Sequence, residues 1–340
     1  MKTQDSTDLC YPHLNNNSCK TPTSPWIEVV LVQIILSLFS LITVALNLLV
    51  IISVSHFRQL HTPTNILLLS LAVSDLLVGF VSMPGEIYRQ TSCWFLGDLM
   101  CFLYNYFTYI NTSASVGDIV LISIDRYVAI CDPLHYQTRV TERRVKVCVC
   151  LCWLCSFFYN ILFIKDYLIQ TGMNNSCYGE CVSAAGIIAG TFDLVLTFIA
   201  PVTIIIILYM RVFVVAVTQA RAMRSQVTAV KLQLSFTTAK KSELKAARTL
   251  GVLVVLFLIC FCPTYCVYLA GIELFSSSSA LVVDYLLYVN SCVNPVIYAL
   301  FYPWFRKTAK FIVTLGILNF FLCEVKTFLN KKKMITFTFL

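Results

Sequence analysis

The sequence predicts an all-α membrane protein, a seven-transmembrane helix bundle followed by a short amphipathic eighth helix. Three observations lead there. The 340-residue chain is 58% hydrophobic and only 12% Asp, Glu, Lys or Arg, about half the charged share of a soluble domain. Apolar runs of about 20 residues, enough to cross a bilayer, recur seven times. The basic residues gather on one side of those runs.

The runs lie near residues 27–54, 64–88, 99–124, 145–164, 184–217, 249–271 and 280–301. Residues 1–26 form a polar N-tail without the apolar core of a cleavable signal peptide. The spans occupy 27–303, an amphipathic helix 304–315 follows, and 316–340 make an atypical apolar tail ending in Lys331, Lys332 and Lys333 before its last residues. The connection at 219–245 is basic and rich in Ala, Gln and Leu, and predicts extension of the flanking helices beyond the membrane.

Charge sets the orientation. Of the 25 Lys and Arg, only Lys2, Lys20, Arg89 and Lys165 fall on the N-tail side. That asymmetry predicts an extracellular N-terminus and a cytosolic C-terminus at a cell membrane. The net charge of +8 then suits anionic membrane lipids and speaks against a nucleic-acid partner. Cys10, Cys19, Cys93, Cys101, Cys177 and Cys181 fall on the outer side, where disulfides persist, although spacing alone does not pair them. The sequons at Asn16 and Asn174 also lie outside and predict glycosylation.

No phosphate loop, metal-ligand spacing or catalytic motif occurs, so the chain reads as no enzyme. A transporter would show repeated halves with matching interrupted helices, and none are visible. Instead, the spans carry short patterns in a fixed order: Asn47, then Leu71-Ala-Val-Ser-Asp75, Asp125-Arg126-Tyr127, Trp153, Pro201, Cys260-Phe-Cys-Pro263 and Asn294-Pro-Val-Ile-Tyr298. In this order they resemble a rhodopsin-like G-protein-coupled receptor over about residues 27–312. The stretch NSCVNPVIYALFYPWF, residues 290–305, resembles the fingerprint of trace amine-associated receptors. It fills every fixed position, at Asn290, Ser291, Asn294, Pro295, Tyr298, Tyr302, Trp304 and Phe305.

The resemblance implies roles for several groups. Asp75, Ser115, Asn290, Ser291 and Asn294 match a mid-bundle cluster that holds an allosteric sodium ion, with no other cofactor or metal expected. Asp125, Arg126 and Tyr127, with Glu243, Tyr209, Asn294, Pro295 and Tyr298, match the switch that opens to a heterotrimeric G protein of the stimulatory or olfactory type, raising cyclic AMP. A Cys101–Cys181 disulfide is implied, with a second bridge from the N-tail, Cys10–Cys177, preferred over one from Cys19.

The implied ligand is a small-molecule amine detected in olfaction, and one residue departs from that pattern. The helix-three carboxylate that usually holds the ammonium, eighteen residues before the Asp-Arg-Tyr arginine, is Thr108 here. A hydroxyl cannot offset the desolvation of an ammonium, several kcal/mol per ion. Asp193, eight residues before Pro201, supplies a charge about 12 Å outward of that proline on a regular helix. The helix places Asp193, Thr197 and Pro201 on one face. Some fish trace amine receptors resemble this arrangement, with the amine bound from helix five instead of helix three.

Tyr104, Phe261, Tyr265 and Tyr288 complete the expected aromatic lining. Asp284 offers a second acid for a diamine or polyamine. Glu86 offers another, unless it pairs with Arg89 at i+3. The competing readings are a neurotransmitter-type aminergic receptor and a receptor for a non-amine ligand with a structural Asp193. Asp118, mid-span with Ser70 and Trp153 in reach, has no assigned role.

Overall fold

The computed structural model describes residues 9–14, 17–21, 26–170, 177–181, 187–227, 234–269 and 278–314. Asn16, Asn174, the side chains of Glu243, Asp284 and Lys165, and the tail after Thr314 lie outside the described residues. Among the described residues the chain is helical without a strand, apart from isolated bridges near the N-tail.

The first helix is Trp26–His56, the second Pro63–Thr91, the third Gly97–Cys131 and the fourth Glu142–Gln170. The fifth begins as Ile187–Asp193, passes through a π turn at Leu194–Ile199 and continues as Ala200–Val227. Leu234–Leu269 is the sixth and Ser278–Phe301 the seventh. The long basic connection is thus largely taken up by the fifth and sixth helices. A short helix, Pro133–Arg139, links the third and fourth helices, and residues 303–314 are helical after the seventh.

Two helices change pitch for the same reason. The second has a π turn at Val78–Ser82 just before Pro84, and the fifth has one at Leu194–Ile199 just before Pro201. Each proline lacks an N–H and its ring crowds the carbonyl four residues back, so the preceding turn widens. Two carbonyls around the turn in the second helix also accept from side chains. Ser40 Oγ donates to Gly79 O at 2.6 Å and Tyr104 Oη to Ser82 O at 3.0 Å. The regular pitch expected between Asp193 and Pro201 is therefore corrected: a π turn lies between them, with less rise than an α-helix.

The third helix is the axis of the bundle, packed against the second, fourth, fifth and sixth. The sixth and seventh pack along each other, and the first lies against the second and seventh. Their shared core includes Val50, Leu68, Leu71, Ile205, Phe257 and Tyr298. Apolar side chains on the outside, such as Leu41, Phe158, Phe192 and Ile207, remain exposed, as a lipid-facing surface requires. Among the described residues, four helices are by length and composition apolar enough to cross a membrane, at Gln33–His56, Pro63–Thr91, Glu142–Ile161 and Gly190–Val215. The third stays outside that set, since Asn105, Thr108, Asn111, Ser115 and Asp118 interrupt it.

The outer cap corrects one pairing. The Pro12–Leu14 turn folds the N-tail back so that Leu9 bridges Lys20, and Ser18 bridges Tyr178 of the second outer loop. Cys19 is thereby set beside Cys177, and the two form a disulfide. Cys10 lies against Gly179, whose carbonyl accepts from Trp94 N at 2.9 Å. That places Cys10 next to Cys93, its actual partner, instead of Cys177. A third disulfide joins Cys101 to Cys181.

Candidate functional site

Asp193 ends the first segment of the fifth helix, where the π turn begins. Its carboxylate faces the fourth helix, with the Tyr159 hydroxyl donating to Oδ1 at a long 3.5 Å. Thr197 Oγ1 lies one turn inward, bonded to the Asp193 carbonyl oxygen at 2.6 Å and to Tyr265 Oη at 2.8 Å. Tyr265 stacks on Phe198 with ring centroids 4.4 Å apart. No Lys or Arg pairs with Asp193 among the described residues. A partly buried carboxylate is thus surrounded by hydroxyls and aromatic faces, with no protein cation among the described residues to balance it.

Thr108 belongs to a different group, between the second, third and seventh helices. Its hydroxyl lies 3.4 Å from Ser82 Oγ. One turn outward, Tyr104 Oη reaches Glu86 Oε2 at 3.2 Å and shares a hydrogen bond with Tyr288. Arg89 Nε and Nη2 donate to both oxygens of Glu86, at 3.0 and 2.5 Å. Gln90 Nε2 adds a fourth donor at 2.5 Å, and Gln90 Oε1 accepts from Tyr285 Oη. Of the residues expected to line one amine pocket, the structure thus joins Asp193, Thr197 and Tyr265 on one side. Thr108, Tyr104 and Tyr288 are joined on the other. Phe261 is buried below them, tilted against Phe257 at 4.4 Å.

Mid-bundle, Asp75 is fully buried and accepts from Asn294 Nδ2 at 2.8 Å and from the Ser291 hydroxyl. Asn47 Nδ2 ties the first helix to Ser291 O at 3.0 Å. Ser115 and Asn290 are buried as well. Asp75 Oδ1, Asn111 Oδ1 and the Tyr298 hydroxyl have no hydrogen-bond partner among the described residues. Asp118, also fully buried, accepts from Ser70 Oγ at 2.8 and 3.0 Å, and Ser70 in turn accepts from Trp153 Nε1 at 3.0 Å.

At the inner end, Arg126 folds onto its neighbour Asp125, donating from Nε at 2.9 Å and Nη2 at 2.6 Å. Thr64 Oγ1 donates to Asp125 Oδ2 and accepts from Arg126 Nη2, while Tyr136 Oη donates to Asp125 Oδ1 at 2.8 Å. The second helix and the linking helix therefore enclose this ion pair. In the linking segment, Asp132 accepts from His135 at 2.7 Å, and this contact, with Arg139, holds its carboxyl below the usual range. Tyr209 Oη approaches the sixth helix where Gly251 has no side chain; a Cβ there would collide with it.

Comparison with known proteins settles the family. Residues 46–298 match the model of the 7 transmembrane receptor (rhodopsin family). The chain belongs to the rhodopsin family of seven-transmembrane receptors. Within it, the relatives are trace amine-associated receptors. The chain is 37% identical to trace amine-associated receptor 13c of Danio rerio over 92% of its length and 94% of the relative's. It is 36% identical to trace amine-associated receptor 8a of Rattus norvegicus, over 92% and 94%. With trace amine-associated receptor 9 of Mus musculus it shares 37% identity over 90% and 91%. The protein is thus a multi-pass G-protein-coupled receptor of the trace amine type and not an enzyme. Membership implies a small-molecule ligand and a heterotrimeric G protein as partners.

The receptor also uses residues that the sequence did not mark. Tyr159 was indistinguishable from helix packing, because a tyrosine in an apolar span has no periodic signature. Gln90 and Tyr285 extend the Glu86–Arg89 pair, which its i+3 spacing does signal. Thr64 of the second helix and Tyr136 of the linking helix close the Arg126 site.

Proposed function

We propose that this receptor detects a protonated amine and that Asp193 is the counter-ion. The observation that supports this most is the state of its carboxylate. It is partly buried, meets the hydroxyls of Tyr159, at 3.5 Å, and of Thr197, and has no cation beside it among the described residues. Burying an unpaired charge in a membrane protein costs several kcal/mol, and a ligand ammonium removes that cost. Thr108 offers no charge, and its hydroxyl is engaged with Ser82. Tyr265, Phe198 and Tyr159 present aromatic surface for cation–π contact, about 0.5–2 kcal/mol each.

The rest of the reading is proposed by analogy with the family. The N-terminus faces outward, with Asn16 and Asn174 as glycan sites, and detection is olfactory in type. Amine binding between the fourth, fifth and sixth helices loosens the Arg126–Asp125 enclosure, and a stimulatory or olfactory-type G protein raises cyclic AMP. Glu243 is the sixth-helix partner of Arg126 in the resting state. Asp75, Ser115, Asn290, Ser291 and Asn294 would hold an allosteric sodium ion. The open acceptors Asp75 Oδ1 and Asn111 Oδ1 suit such an ion.

The test compares a panel of alkyl and aryl-alkyl amines with the alcohols of the same shape, in cells expressing the receptor and a cyclic AMP reporter. Amines raise cyclic AMP and their alcohols do not. Equal responses to both, or none to any amine, would refute the reading.

A further inference from the structure

We propose that Arg89 occupies the place of a second ligand ammonium at Glu86 and so bars that acid to diamines. The inference rests on the reading of Asp193 as the amine's counter-ion. A linear diamine bound there needs a second carboxylate on the opposite wall. Among the described residues, the acid touching that wall is Glu86, which reaches Tyr104 of the third helix directly and lies beside Tyr288 of the seventh.

Glu86 is held ready but closed. It is 4% exposed, and a carboxylate offers about four acceptor positions. Three are met by Arg89 Nε and Nη2 and Gln90 Nε2, and the fourth faces Tyr104 Oη, whose one hydrogen is shared with Ser82 O. The guanidinium contact is two-point, the geometry in which arginine binds carboxylates best. Arg89 differs from a structural cation in one respect. Its side chain is 27% exposed against 6% for Glu86, so it reaches the carboxylate from the outer rim. The acid faces the interior, and the cation covers it from the solvent side. Arg89 is therefore a built-in competitor for any second ammonium, and Glu86 reads as neutral to a ligand.

The experiment measures cyclic AMP dose–response curves for a linear alkyl monoamine and the α,ω-diamine of the same chain length, on full-length receptor with surface expression determined by flow cytometry. In Arg89→Gln, the diamine-to-monoamine EC50 ratio should fall at least about tenfold, as the freed carboxylate takes the second ammonium. Adding Glu86→Gln should return the ratio to within about threefold of wild type. Arg89→Lys keeps the charge but loses the two-point grip, and should lower the ratio about two- to fivefold.

An unchanged ratio in surface-expressed Arg89→Gln overturns the proposal, as does a shift that persists without Glu86. If Arg89→Gln does not reach the surface, Arg89→Lys decides, and an unchanged ratio there overturns it. Asp193→Asn, measured on the monoamine, separates the two claims. Wild-type potency in that variant defeats the counter-ion reading itself. Loss of response there, with an immobile ratio in the Arg89 variants, defeats only the role of Arg89.

Discussion

Single residues in the bilayer are where polar chemistry is costly, and the buried acids here meet that cost in more than one way. Glu86 is paired with Arg89, and Asp125 with Arg126. Asp75 leans on Asn294 and Ser291. Asp118 has the thinnest support, one hydroxyl hydrogen from Ser70, itself fixed by Trp153. Ser70→Ala removes that donor and strands the Trp153 indole N–H as well. The expected cost is about 1–3 kcal/mol, read as a lower unfolding temperature of the detergent-solubilised receptor, while Ser70→Thr stays near wild type. An unchanged midpoint for Ser70→Ala would show that Asp118 is satisfied another way. Ser70 and Trp153 were visible in the sequence as candidate donors because both lie at a matching depth. Tyr159 was not, because nothing in its local sequence separates a donor from a packing ring.

Helices are the scale at which the sequence was most legible and also where it misled. Apolar runs and the motif order give the seven spans, and the spacing of Glu86 and Arg89 gives their ion pair. Pro84 and Pro201 signal a disturbance without saying what kind. It proved to be a π turn ahead of each, which moves Asp193 relative to Pro201 and turns its carboxylate toward Tyr159. Helix contacts are less legible still, since they depend on which small residue meets which neighbour. At Gly117 an added Cβ would collide with Cys152 Sγ, so the third and fourth helices meet there without room. Gly117→Val should destabilise by about 1–3 kcal/mol through overpacking, and combining it with Cys152→Ala should recover most of the loss in thermal midpoint. Additive losses in the pair would place the strain elsewhere.

Across the whole molecule, three disulfides among the described residues link the N-tail, the loops after the second and fourth helices, and the third helix. Sequence groups these cysteines on the N-tail side but does not pair them. The pairing follows from the Pro12–Leu14 turn and two isolated backbone bridges, none of which has a periodic signal. Peptide mapping without reduction should recover Cys10–Cys93 and Cys19–Cys177, whereas a Cys10–Cys177 peptide would contradict this cap. Beneath it, the arrangement is two-sided. An acid with no paired cation among the described residues lies between the fourth, fifth and sixth helices, and a neutralised ion pair between the second, third and seventh. On the proposed function, the helix-three position at Thr108 belongs to the neutral side, and the ligand's counter-charge comes from Asp193 on helix five.

That displacement is the central claim, and the potency of a monoamine on Asp193→Asn tests it most directly. Truncating one partner of a buried charge pair costs about 2–5 kcal/mol, so the cyclic AMP EC50 should rise by about 30-fold or more at matched surface expression, with Asp193→Glu retaining part of the response. An Asp193→Asn receptor that answers the same amine at wild-type potency would contradict the account.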